Sequence, residues 1–153
     1  MKKNNNIKPL LFKACENFIN ARFETVQNTI KEIQESLQSE TKSSAGDKHE
    51  TGRAMLQLER EKAGHQLAEI ENTRALLQKV NIEKTSNVIG LGSIVYTTQA
   101  NYFIAISAGE LMVDHDKFYA ISANTPIAKL LLSKKVGDHI QFRSSTFTIK
   151  KIV

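Results

Sequence analysis

The chain has 153 residues, 41% of them hydrophobic, and a formal net charge of +5. This length fits one or two small domains, and the modest apolar content fits a protein that buries only part of its surface. Acidic and basic residues are interleaved, so the net charge alone is weak support for a nucleic-acid partner. The single cysteine, Cys15, excludes an internal disulfide and gives no zinc-binding spacing.

Neither a membrane-spanning segment nor an export signal is evident. No apolar run approaches the roughly 20 residues that a membrane-spanning helix needs. Residues 1–8 are mainly polar, are predicted to fray, and lack the long apolar stretch of a secretion signal. We therefore expect a soluble cytoplasmic protein.

A long helix is predicted from about Leu10 to Glu40, a stretch without Gly or Pro. Pro9 is compatible with its first turn, where the missing N–H group costs nothing. Apolar residues recur along this helix in steps of four and three, which is the spacing of a coiled-coil seam. The seam residues are Ile19, Phe23, Val26, Ile30, Ile33 and Leu37.

A second helix with a matching seam is predicted from about Lys48 to Asn81. Its apolar seam residues are Leu56, Ala63, Leu67, Ile70 and Leu77, and Arg60 and Arg74 take two further seam positions. The two Arg side chains can still cover apolar surface with their aliphatic stems.

The two seams fold back on each other about a single point. Paired from the inside outwards, their residue numbers add to one constant value, as antiparallel neighbours in a hairpin require. Half of that value is the midpoint of every pair, and it lies between Gly46 and Asp47, so the chain is predicted to fold back there. Only the pair Ile33–Arg60 is not apolar on both sides. The sequence therefore predicts an antiparallel two-helix coiled coil over residues 1–82. Its tip is expected near residues 41–51.

Beyond a linker at residues 83–87, the pattern changes to alternating β-branched and aromatic residues, which is typical of strands. Strands are predicted at Ser93–Thr98, Tyr102–Ser107, Lys117–Ser122, His139–Arg143 and Phe147–Ile152, with a turn around Asp114-His115-Asp116. A Thr cap followed by Pro predicts a short helix from Thr125-Pro126 to about Leu132. Residues 88–153 should thus form a small antiparallel sheet domain with one short helix, which makes the whole chain α+β.

Two carboxylates, Asp47 and Glu50, lie at the predicted tip. Magnesium is commonly held by one or two protein carboxylates, with water and phosphate oxygens completing its octahedron. Such a pair can therefore contribute to a two-metal phosphodiester site without forming one alone. The same Asp-x-x-Glu spacing at a helix start is also a capping box, in which both side chains bond the backbone. The residues alone leave both interpretations open.

Two segments carry a family resemblance. The first is Gly46-Asp47-Lys48-His49-Glu50 at the tip, and the second runs from Ser122-Ala123-Asn124-Thr125-Pro126 to Lys134-Lys135-Val136-Gly137-Asp138. The first is similar to the Gly-Asp-x-x-Glu motif of the bacterial Gre transcript-cleavage factors, which rescue backtracked RNA polymerase. The second is similar to the stretch (Ser/Thr)-Pro-(Ile/Leu)-(Ala/Gly)-(Arg/Lys)-Ala-Leu-Leu-Gly-Lys-Lys-x-Gly-Asp of the same family. The chain resembles that family over nearly its whole length, which implies that the second domain has an FKBP-like fold.

The resemblance implies a transcription elongation factor that binds RNA polymerase and inserts its coiled coil into the secondary channel. Asp47 and Glu50 would there assist the polymerase magnesium site in cleaving backtracked RNA, with Asp47 as the metal-side ligand. The protein would need no cofactor of its own, would share the Mg²⁺ of the polymerase, and would not itself be an enzyme. Its tip would meet the 3′ end of the nascent RNA, any DNA contact would be indirect, and we expect a monomer.

Roles for further residues are suggested by the tip position and by the same family resemblance. Lys42, Lys48 and Arg53 would contact RNA phosphates or acidic channel walls, although a solvated loop explains them equally well. The resemblance implies a polymerase-binding segment that contains Thr125, Pro126, Ile127, Lys129, Lys134, Lys135, Gly137 and Asp138.

Two other functions stay open. Gre factors usually carry an apolar residue after the tip Asp, and here Lys48 takes that place, so a non-cleaving regulator that competes for the secondary channel is the first alternative. A coiled-coil adaptor or a prolyl-isomerase-like binding module is the second, although a fold by itself does not imply an activity.

Overall fold

The computed structural model describes the backbone of residues 7–42 and 46–153, and the side chains of residues 7–39 and 51–153. Within these ranges a long helical hairpin precedes six strands and a short helix, which confirms the predicted α+β class. The elements are α1 Ile7–Lys42, α2 Gly46–Gln78, β1 Ile94–Thr97, β2 Asn101–Ala105, β3 Gly109–Val113, β4 Asp116–Ser122, α3 Pro126–Leu131, β5 His139–Phe142 and β6 Ser145–Ile152. None of the helices in the described ranges combines the length and the apolarity needed to cross a lipid bilayer.

The described residues separate into two compact units. The hairpin unit consists of Ile19–Arg74, and the sheet unit consists of the start of α1 as far as Phe18 together with Ala75–Val153. The hairpin unit thus contains most of both long helices. The sheet unit contains all the strands and α3.

The apolar seam of the hairpin unit is the one predicted from the spacing. Its buried side chains are Ile19, Val26, Ile30, Ile33, Ala63 and Ile70. Its half-buried side chains include Phe23, Leu37, Leu56 and Leu67. The two helices therefore bury a single stripe, as a coiled-coil seam does.

Arg74 links the two helices at one seam position. Its guanidinium lies 4.9 Å from the ring centroid of Phe23 and donates hydrogen bonds to Asn20 Oδ1 at 3.3 Å and to Glu71 Oε1 at 2.9 Å. Phe23 and Asn20 belong to α1, so the cation–π contact and one hydrogen bond join the helices across the seam.

Arg60 is accommodated at its seam position by a glycine one turn later. A Cβ atom at Gly64 would lie 3.3 Å from Arg60 Nη1. The missing side chain therefore leaves space for the guanidinium. Gly64 weakens the helix by roughly 1 kcal/mol relative to Ala, but it leaves room for the Arg60 guanidinium.

The six strands are arranged in the order β3-β4-β2-β1-β6-β5, so β3 and β5 form the edges. Neighbouring strands are antiparallel except for β2 and β4, which pair in parallel from Tyr102↔Tyr119 to Ala105↔Ser122. The mostly antiparallel sheet predicted for this region is confirmed. One apolar cluster of this unit combines the sheet with α3 and contains Ile89, Val95, Tyr102, Ile104, Ala128, Leu131, Ile140, Phe147 and Ile149.

One strand, β3, was missed by the sequence prediction. Its side chains are mainly exposed, so the inward–outward alternation that marks a half-buried strand is weak there. Asp114 and His115 connect it to β4, both at positive φ, 51° and 69°. The predicted turn is therefore one residue shorter than expected, because Asp116 already pairs with Val113.

The start of α1 also differs from the prediction. Ile7 and Lys8 are helical and buried instead of frayed. The Lys8 side chain is only 5% exposed, and its ammonium Nζ donates a hydrogen bond of 2.9 Å to the carbonyl oxygen of Lys84, in the segment after α2. Burial lowers the pKa of Lys8, because a charged group loses hydration on leaving water.

Replacing Lys8 by Met should change how stability depends on pH. Because the pKa of Lys8 is lower in the folded state, the unfolded chain binds more protons, and this group makes the protein more stable as the pH rises towards 10.5. The unfolding free energy of Lys8→Met minus that of the wild type should therefore fall from neutral pH to pH 10.5.

Urea unfolding of both proteins across this pH range measures that difference. The raised pKa values of Tyr96 and Tyr102 act in the opposite direction, but they are common to both proteins and cancel. A difference that does not vary with pH would mean that the Lys8 ammonium remains hydrated in the folded protein.

Candidate functional site

The predicted tip spans the end of α1 at Lys42 and the start of α2 at Gly46. Asp47 and Glu50 are the second and fifth residues of α2, with Lys48 between them. The side chains of Lys42, Asp47, Lys48 and Glu50 lie outside the described residues. The proposed metal-ligand, capping and RNA-contact roles of these four residues therefore stay predictions.

Arg53 is the predicted tip cation whose side chain the structure describes. It lies on α2, about two helical turns after Gly46, and it is half-buried. Arg53 is therefore part of a helix surface and not of a loop. Its predicted contact with RNA or with the channel stays a prediction.

The second candidate region begins with the cap of α3. Thr125 Oγ1 accepts a hydrogen bond of 3.3 Å from the backbone N–H of Ala128 and donates one of 2.9 Å to the carbonyl oxygen of Ser122. Pro126 occupies the first helical turn, as predicted. Ile127 packs against the core of the sheet unit, whereas Lys129 is exposed.

The polar turn after α3 is held by its own aspartate. Asp138 Oδ2 accepts a hydrogen bond of 2.8 Å from the backbone N–H of Lys135. Gly137 has a φ of +95°, a conformation that favours glycine, and its N–H donates to the carbonyl oxygen of Ile149 on β6 at 2.8 Å. The Gly-Asp pair thus shapes the turn and attaches it to the sheet.

All eight residues of the predicted polymerase-binding segment belong to the sheet unit, whereas Asp47, Glu50 and Arg53 belong to the hairpin unit. The chemistry expected at the tip and the contacts expected around α3 are therefore built on separate units. Each unit is stabilised by its own apolar side chains.

A cavity beside this turn was not anticipated. It has a volume of about 250 Å³ and is lined by Asn87, Lys135, Val136 and Ile152. Val136 belongs to the second segment of the family resemblance and Ile152 to a predicted strand, and these residues meet only through long-range pairing. The sequence signal for this cavity was Val136, an apolar residue in a lysine-rich turn.

The described side chains offer little metal or thiol chemistry. Among them, no group of three His, Cys, Asp or Glu residues lies close enough to hold a metal ion. Cys15 is buried, and burial raises the pKa of its thiol to about 12. Since the thiolate is the reactive and metal-binding form, Cys15 is an apolar core residue at neutral pH.

No protein-family model matches the sequence, and no curated protein matches it either.

Proposed function

We propose that this protein is a Gre-type transcription elongation factor that stimulates RNA polymerase to cleave backtracked RNA. The observation that carries the proposal is the helical hairpin: α1 ends at Lys42 and α2 begins at Gly46, immediately before Asp47. This architecture supports delivery of two carboxylates by the end of a two-helix element. The Asp47-x-x-Glu50 motif and the Thr125–Asp138 segment supply the family resemblance.

The dimensions of the helices suit entry into a channel. Helices of 36 and 33 residues are each roughly 50 Å long at about 1.5 Å per residue. Their seam buries one apolar stripe, and most of the remaining surface is polar and exposed. A pair of helices with a polar outer surface can enter a narrow, solvated passage without losing its own packing.

The tip carboxylates have the donor chemistry that a magnesium site requires, because Mg²⁺ prefers carboxylate, phosphate and water oxygens. When bound at the polymerase centre, the ion would activate water and polarise the phosphodiester. In this proposal Asp47 supplies one anionic ligand oxygen. Glu50 accepts a hydrogen bond from the attacking water and orients it. A helix N-terminus favours carboxylates in both roles.

The sheet unit would provide the polymerase contact that places the tip. Its α3 segment is held by local hydrogen bonds, because Thr125 caps the helix and Asp138 closes the turn that follows. A preorganised surface loses little conformational entropy on binding. In this proposal the polymerase carries out the cleavage reaction, and the factor is not an independent enzyme.

A cleavage assay on stalled, backtracked polymerase complexes tests the proposal. With magnesium present, addition of the purified full-length protein should release short RNA fragments from the 3′ end. Sedimentation of the protein with polymerase core measures binding in the same samples. Binding without fragment release would contradict the cleavage role, and absence of binding would contradict the whole proposal.

A non-cleaving regulator is the second candidate, and Lys48 next to Asp47 is the observation that favours it. A lysine at this position adds positive charge to the tip and would disfavour a metal ion there. Such a protein would bind polymerase and suppress cleavage stimulated by an active Gre factor. Competition between the two factors on the same backtracked complexes distinguishes this function from the first.

A further inference from the structure

The positive charge of the protein is concentrated in the sheet unit. The hairpin unit contains more acidic than basic residues, so the sheet unit carries the whole excess of positive charge. Within the sheet, the acidic strand residues are Glu110 on β3 and Asp116 on β4, whereas β1, β2, β5 and β6 contain none. Asp138 precedes β5, and its carboxylate accepts the backbone N–H of Lys135 at 2.8 Å. The β5 edge is therefore the basic side of the sheet.

One face of the β5–β6 pair is polar and open to solvent. Side chains alternate between the two faces of a strand, and Phe147 and Ile149 are buried on the face that packs against α3. The residues that alternate with the buried ones lie on the opposite face, and they are His139, Gln141, Thr146 and Thr148. All but the half-buried Thr148 are exposed. This face therefore presents hydroxyl, amide and imidazole groups.

Three cations accompany these polar groups. Arg143 lies in the turn between β5 and β6, and its guanidinium is 4.9 Å from the ring centroid of Phe142. The ammonium of Lys151 on β6 is 5.5 Å from the ring centroid of Tyr96. Lys150 is exposed next to it. Because the two ring contacts restrain Arg143 and Lys151, less side-chain entropy is lost when these cations bind an anionic partner.

The composition of this face favours nucleic acid over a protein partner. Protein interfaces usually have an apolar centre within a polar rim. Among the described side chains of β5 and β6, no large apolar one is exposed. Interfaces with nucleic acid are instead polar and positively charged. Lys, Arg, Thr and Gln side chains are common donors to phosphate and sugar oxygens.

The shape of this face favours a single strand of RNA. A six-stranded sheet is too broad to enter the major groove of a duplex, which is about 12 Å wide. A single strand can instead lie along an open surface. RNA also offers a 2′-hydroxyl group, which both donates and accepts hydrogen bonds. Gln141 and Thr146 are paired across β5 and β6 and are suited to bind this group.

We propose that the exposed face of β5 and β6 binds single-stranded RNA through its sugar–phosphate backbone. Arg143, Lys150 and Lys151 pair with phosphates, and Gln141 and Thr146 bind 2′-hydroxyl groups. Contacts of this kind carry no base-sequence information. The binding is thus a further function of the sheet unit, and it requires neither polymerase nor the carboxylates of the tip.

The test measures the affinity of the full-length protein for a short labelled RNA strand at several salt concentrations, without polymerase. Affinity should fall as salt rises, and Lys151→Gln should reduce the slope of log affinity against log salt by about 0.7. Arg143→Gln, Lys150→Gln and Lys151→Gln combined should weaken binding about tenfold or more at low salt. Lys117→Gln is the matched control, because Lys117 lies on β4 and is paired with Glu110 at 2.8 Å. Its affinity should stay within twofold of the wild type.

Three results would each overturn the inference. The first is an affinity of the combined variant within twofold of the wild type, or no binding of RNA by the wild type. The second is an equal loss in Lys117→Gln and Lys151→Gln, since net charge and not this face would then set the affinity. The third is single-stranded DNA of the same sequence binding as tightly as RNA, which would exclude the 2′-hydroxyl contacts. Thermal unfolding of each variant verifies that it is folded. Because polymerase is absent, none of these results bears on RNA cleavage.

Discussion

Replacing Asp47 by Asn should abolish stimulated RNA cleavage while polymerase binding stays intact. Asn has nearly the same volume as Asp but lacks the negative charge that holds a magnesium ion and balances charge in the transition state. A loss of about 3 kcal/mol of transition-state stabilisation lowers the rate more than a hundredfold. The binding surface proposed for the sheet unit is unchanged by this substitution.

The rate of fragment release from backtracked complexes at several magnesium concentrations is the measurement. A missing ligand should raise the magnesium concentration needed for any residual activity. Asp114→Asn makes the same chemical change in the β3–β4 turn, where φ is 51° and Asn is well tolerated, and it should behave as wild type. If Asp47→Asn were as active as the wild type, the carboxylate would have no part in cleavage.

The helical hairpin was predictable because its information is local. Ile30 and Ile33 bury their side chains at the spacing that a coiled-coil seam requires, and Ala63 and Ile70 do so on the second helix. The constant sum of residue numbers uses only this periodicity and the requirement that antiparallel neighbours face each other. The capped start of α3 was predictable for the same reason, since Thr125 and Pro126 act on adjacent backbone groups.

Features that depend on residues far apart in the chain were not predicted, or were predicted only in part. The parallel pairing of β2 with β4 joins strands that are separated by β3, and no local pattern specifies it. Burial of Lys8 depends on the carbonyl oxygen of Lys84, which lies 76 residues further along the chain. A polar N-terminal sequence indicated fraying because that acceptor is invisible in the local pattern.

The candidate site likewise combines a part that the sequence predicts with a part that it does not. The position of Asp47 at the fold-back follows from the seams, but its chemistry rests on the family resemblance. The cavity beside Val136 forms where the turn after α3 meets β6, through the hydrogen bond from Gly137 to Ile149. Its residues come from three separate parts of the chain, so composition and periodicity do not reveal it.

Phe118→Ala should cause a large loss of stability in the sheet unit. Phe118 is fully buried on β4, and its ring makes an edge-to-face contact with Tyr96 at 5.8 Å between centroids. Truncation removes apolar burial and leaves a cavity, which costs about 3–5 kcal/mol. Domains are typically stable by about 5–15 kcal/mol, so this single change removes a large part of the total.

The sheet unit can be followed selectively, because all three tyrosines of the chain, Tyr96, Tyr102 and Tyr119, lie in its strands and the chain has no Trp. Urea unfolding monitored by tyrosine fluorescence should show the loss in Phe118→Ala. Met112→Ala, on the exposed side of the neighbouring strand, should stay within about 0.5 kcal/mol of the wild type. A loss below about 1 kcal/mol in Phe118→Ala would mean that the sheet repacks around the missing ring. Since the proposed polymerase contact lies on this unit, the large loss would also make polymerase binding fail at a lower temperature than in the wild type.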